Sequence, residues 1–157
     1  MLATPYIRLN RNEYENVTEE HEPFVIGQPK VMREGHDVAV LATGYMVRLA
    51  LKAAESLRDQ ISVKVINIST IKPLNREKLI ELTKGVRGIV TAEEHSVVGG
   101  LGSAVSEAMR RECVPIEYVG VEDTFGCSAH DYQHLLWHYG LTEEHIIETI
   151  KNVMGGR

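Results

Sequence analysis

The densest run of chemistry-bearing residues is Thr91-Ala92-Glu93-Glu94-His95-Ser96-Val97-Val98-Gly99-Gly100-Leu101-Gly102-Ser103. Carboxylates and an imidazole are the usual agents of acid–base catalysis. Glycines ahead of a helix expose N–H groups that can hold a phosphate. The glycine spacing fits neither the GxGxxG fingerprint nor a P-loop, which also needs a Lys-Ser/Thr pair. Adjacent residues of an extended segment point to opposite faces, so Glu93 and Glu94 are not expected to share one site. The expectation is a polar loop, 93–102, whose charges cap helices or make hydrogen bonds across an interface. There Gly99, Gly100 and Gly102 would let a neighbouring backbone come close, and Glu93, Glu94 and His95 would form the polar border.

Other candidates are weaker. His130, His134 and His138 follow i, i+4, i+8 spacing and would share one helical face. No HExxH pattern accompanies them, so a solvated or interface face is expected rather than zinc. The two cysteines, Cys113 and Cys127, form no CxxC motif and no disulfide framework. No GxSxG elbow is present. With 17 Lys+Arg against 22 Asp+Glu the net charge is −5, without a basic stripe, and nucleic acid is not an expected partner. No apolar run approaches the roughly 20 residues of a membrane span. The first five residues carry no secretory pattern, and a cytoplasmic location is expected.

These residues need a scaffold, and the sequence outlines one. Residues 38–42 are a nearly continuous apolar run, as in a strand covered on both faces. Residues 46–57 place Val47, Ala50, Leu51, Ala54 and Leu57 on one helical face. Strands follow at 63–68, 88–92 and 116–121, with helices at 76–84 (capped by Asn75, stopped by Gly85) and 101–111. Closing helices span 131–139 and 142–153, the last capped by Thr142. Alternating strands and helices imply a mostly parallel sheet with right-handed crossovers. A strand at 30–33, turning through Gly35 as a hairpin, supplies an antiparallel edge. The expected fold is a three-layer α/β/α sandwich around a five-stranded sheet. Ligands of such sheets favour the carboxyl ends of the strands, where 43–45, 93–102 and 122–128 lie. Ahead of all this, 5–9 reads as a short strand and 10–22 as an acidic linker. The strand either ends an upstream domain or folds back on this one.

Several segments, in order, resemble one family. TAEEHSVVGGLGSAVSE (91–107) resembles the transketolase C-terminal domain, as does the D-x-F-G-x-S pattern of Asp123 to Ser128. Ile71-Lys72-Pro73-Leu74-Asn75 is similar to a segment of deoxyxylulose-phosphate synthase, and Val40-Leu41-Ala42-Thr43-Gly44 to the domain's opening strand and turn. The resemblance implies that residues 1–22 are the end of a preceding pyrimidine-binding domain plus linker, and 23–157 a transketolase C-terminal-type domain. It implies that thiamine diphosphate and a divalent metal are bound by upstream domains, and that the chain alone catalyses nothing. Partners would be those N-terminal domains or a subunit carrying them, a second copy in a homodimer, and phosphorylated sugars. Arg11 matches the family arginine that binds the sugar phosphate, a task suited to a planar guanidinium fork. The alternatives are a stand-alone binding or assembly module of this fold, or the C-terminal domain of a 2-oxoacid dehydrogenase beta subunit.

Overall fold

The computed structural model describes residues 4–10, 12 and 14–155. Five strands, β1 (Lys30–Arg33), β2 (Val38–Ala42), β3 (Val63–Asn67), β4 (Gly88–Ser96) and β5 (Ile116–Val121), form one sheet in the order β1-β3-β2-β4-β5. All pairings are parallel except β1 with β3. Every residue of β2 is buried, because the strand lies mid-sheet with helices over both faces.

Strand alternation sorts the core into two layers. Val38, Val40 and Ala42 face α1 (Met46–Ser56) and α5 (Glu143–Gly155), with Ala50, Ala54, Ile146 and Ile150 filling the gap. Ala39 and Leu41 face α2 (Arg76–Leu82) and α3 (Leu101–Ala108), against Leu79, Leu101 and Val105. The short α4 (Tyr132–His138) sends Leu136 into the first layer. The result is the three-layer sandwich with one antiparallel edge. Among the described residues no helix is long and apolar enough to cross a membrane.

Local signals explain the helix ends. The Asn75 side chain accepts from Lys78 N at 3.0 Å, and Thr142 Oγ1 from His145 N at 3.3 Å. Gly85 follows α2 with φ 84°, a conformation that only glycine adopts without strain.

Three expectations change. Residues 5–9 form no strand; they are exposed and without backbone pairing among the described residues. β1 does not turn back onto β2 as a hairpin but crosses to pair with β3. Gly35 accordingly has no positive φ; a Cβ there would run into the backbone of Val63 and Lys64. Finally, β4 continues to Ser96, so Glu93, Glu94 and His95 lie in a strand rather than a loop. Its register with β5 shifts between Ala92 and Ser96, a bulge that re-aims these side chains.

Candidate functional site

β2 and β4 are still joined at their carboxyl ends, where Thr43 N donates to Ala92 O at 3.1 Å. Beyond it β2 turns through Gly44 (φ 58°) and Tyr45 into α1 on one face. β4 turns through Gly99 (φ 77°) into α3 on the other. This is the crevice in which open α/β sheets hold ligands, and Glu93 and Glu94 flank it.

Glu93 is 1 % exposed. Its two carboxylate oxygens accept from Leu101 N at 2.7 Å and Gly102 N at 2.8 Å. The N-cap residue of α3, Gly100, offers no side chain, so the strand supplies the cap. A carboxylate on a helix N-terminus is favoured both by charge-assisted hydrogen bonds and by the helix dipole. The glycines follow from this arrangement. A Cβ on Gly100 would collide with the Glu93 carboxylate and Ser96 O, and one on Gly102 with the Tyr118 ring. The turn is tied further by Gly99 N to Ser103 Oγ (2.9 Å) and Ser103 Oγ to Val97 O (2.8 Å). The N–H groups of Gly99, Leu101 and Gly102 thus already have acceptors from the chain itself. They do not fit a phosphate cradle, whether of a free anion or of a diphosphate cofactor.

Glu94 faces the other way. Its carboxylate accepts from Asn10 Nδ2 at 3.2 Å, and its carbonyl from Arg8 Nη1 at 3.0 Å. Asn10 Nδ2 also reaches Tyr132 Oη at 3.4 Å. Asn12 donates from its backbone to Asn10 Oδ1 (3.1 Å) and from its amide to Tyr14 Oη (3.0 Å). The Tyr14 ring lies 4.5 Å from that of Tyr45 and 6.3 Å from that of Tyr132. Burial, with hydrogen bonds to Tyr14 and Glu94, pushes the Tyr132 phenol far above the usual tyrosine range. Arg48 pairs with Glu15 at 2.8 Å, and Val17 packs on the core. Residues 10, 12 and 14–17 therefore lie across the crevice as a strap of the chain's own making.

Of the six residues expected at an interface, Glu93, Gly100 and Gly102 are buried inside the domain, Glu94 is half-buried, and His95 and Gly99 are exposed. The close approach that Gly100 and Gly102 allow is made within the domain, to Ser96 O and to the Tyr118 ring, whereas a Cβ on Gly99 would meet nothing within 4 Å. Arg11 lies outside the described residues. Of the histidine set, His130 precedes α4, His134 Nδ1 sits 3.1 Å from Asp131, and His138 stacks edge-on against Tyr139. Cys113 and Cys127 are free and exposed. Sequence reasoning missed Asn10, Tyr14, Tyr45 and Tyr132. The available signal was an aromatic residue stranded in a polar linker and another directly after the Thr-Gly turn.

The description "Transketolase, C-terminal domain" matches residues 27–146. The chain is 42% identical over 151 residues to a 6-deoxy-6-sulfo-D-fructose transketolase subunit of Clostridium sp. (strain MSTE9), covering 94% of this chain and 46% of that one. It is 37% identical over 155 residues to the 1-deoxy-D-xylulose-5-phosphate synthase of Rippkaea orientalis, covering 97% of this chain and 24% of that one. Among solved structures, a split gene transketolase described as an inactive beta4 tetramer superimposes with a TM-score of 0.84 at 39% identity, over 90% of this chain and 46% of that one. The chain thus spans less than half the length of each.

Proposed function

The chain belongs to the transketolase C-terminal domain family, and we propose that it is the C-terminal part of an enzyme transferring two-carbon ketol units between sugars with anionic termini. One observation carries this reading: nearly the whole chain aligns, at 42% identity, with 46% of a transketolase subunit. Thiamine diphosphate and its divalent metal would be held by domains preceding this one, in the cytoplasm. The donors at the start of α3 are spent on Glu93, which accords with that division of labour.

On this reading residues 1–22 end the preceding domain and lead in, with Tyr6, Ile7 and Leu9 turned out toward it; all three are more than 70% exposed. Arg11 would grip the terminal anion of the sugar. The names of two relatives carry such a group, a phosphate in one and a sulfo group in the other. The surface around Glu94, His95, exposed Val98 and Gly99 would meet a second copy, while buried Glu93, Gly100 and Gly102 shape that surface from beneath.

Calorimetry of the purified 157-residue chain with thiamine diphosphate and magnesium tests the division of labour. No binding and no ketol transfer are expected until a preceding half is added. Micromolar cofactor binding by the chain alone would overturn it.

A further inference from the structure

The exposed apolar side chains of the domain gather at one end of the sheet. Phe24, Val25 and Ile26 are 70%, 56% and 71% exposed, and Ile71 is 37% exposed. The two segments adjoin: Gly27 N donates to Thr70 Oγ1 at 3.0 Å, and a Cβ on Gly27 would stand 3.8 Å from Pro73 O. β1 runs antiparallel to β3, with Lys30 opposite Asn67, so residues 24–27 lie beyond the carboxyl end of β3. Tyr6, Ile7 and Leu9 stand at the same end, around Arg8, whose guanidinium is held by Glu94 O near the end of β4. Only β2 separates β3 from β4, so those two strand ends are about 10 Å apart, two strand spacings. Single exposed apolar residues are ordinary, but three in a row beside a fourth make a patch, and patches mark contact surfaces.

We propose that Phe24, Val25, Ile26 and Ile71 form the seat against which the preceding half of the enzyme packs. This depends on the reading that residues 1–22 lead in from such a half. The strap favours that occupant over a second copy. Asn10 on Glu94, Glu15 on Arg48 and Val17 on the core hold the linker across the crevice. A domain joined at residues 4–9 is therefore delivered beside the patch. Being tethered, it stands there at an effective concentration on the order of millimolar. A second copy must instead be drawn from solution, at the full loss of translational and rotational freedom.

The test uses the complete enzyme, this chain together with its preceding half, with the photo-crosslinker p-benzoylphenylalanine in place of Ile26. Ile26 is exposed within the domain, so the replacement should leave the domain folded. Irradiation and peptide mass spectrometry should join position 26 to the preceding half, with a yield independent of protein concentration. A product with residues 23–157 of another copy, falling on dilution, would overturn the seat, and so would the absence of any product. A second measurement uses Ile26→Cys in the same enzyme. Its thiol should react with a maleimide at least roughly tenfold more slowly than exposed Cys113, because the contact must open first. Equal rates would mean an open patch and would also reject the proposal. Ketol transfer is assayed alongside. Transfer by an enzyme whose position 26 is open, or bound to another copy, sinks the seat and leaves the functional reading standing. A cross-link to the preceding half in an enzyme without ketol transfer sinks the activity and leaves the seat.

Discussion

Glu93 and Glu94 are neighbours of the same residue type, yet the two sides of β4 on which they lie are built on different terms. On the Glu93 side the carboxylate is out of water, its two partners lie within 93–103, and the missing side chain of Gly100 keeps space for it. On the Glu94 side the bonds span most of the chain, Asn10 is exposed and Tyr132 half-buried, and aromatic rings replace glycines. Only the pleat and the bulge after Ala92 separate the two. A buried carboxylate with two N–H partners fixes a turn. A half-buried one whose partner lies in an exposed linker can only bias where that linker rests. The first side therefore fixes the turn into α3, and the second ties the linker to the domain.

The largest effect should come from Gly100→Val. Its Cβ would displace the Glu93 carboxylate and meet Ser96 O, and a loss of about 3 kcal/mol in urea unfolding is expected. Glu93→Ala should come next, at roughly 2–3 kcal/mol, because two buried N–H groups lose a charged acceptor. Glu94→Ala should cost less than about 1 kcal/mol, since its bonds are exposed. Equal costs at Glu93 and Glu94 would break the contrast. The smallest effect is alkaline. The Tyr132 phenol, raised by burial and by its bonds to Tyr14 and Glu94, keeps its proton in the folded state where a free tyrosine would lose it. Its contribution is complete below the usual tyrosine value of about 10 and is lost as pH climbs beyond it. Protection of residues 10–14 from a protease should therefore decline above that pH in the wild type, and the decline should be weaker in Tyr132→Phe.

Much of the sheet was legible because its signals are local. The apolar run 38–42, the stripe of α1 and the caps Asn75 and Thr142 state their structure in a few adjacent residues. The β1 hairpin was misread because strand patterns do not name their neighbours; Gly35 serves a close pass over β3, not a turn. Glu-Glu-His looked like a loop because a carboxylate in a buried strand is costly, and the N–H groups that compensate it come from the next helix. The tyrosine cluster left only the faint signal of two oddly placed aromatics, since Tyr14, Tyr45 and Tyr132 meet only once the sheet has formed.

The central place of β2 sets a timetable for synthesis. Both of its sheet partners, β3 and β4, lie later in the chain. As the protein leaves the ribosome, Val38–Ala42 emerges wholly apolar, with nothing to pair until Val63–Asn67 follows. Its other edge stays open until Gly88–Ser96 is made. During that interval the stretch most prone to pairing with another chain is bare. A translational pause between residues 43 and 88 would prolong the exposure, whereas one after residue 96 would find the edge already closed.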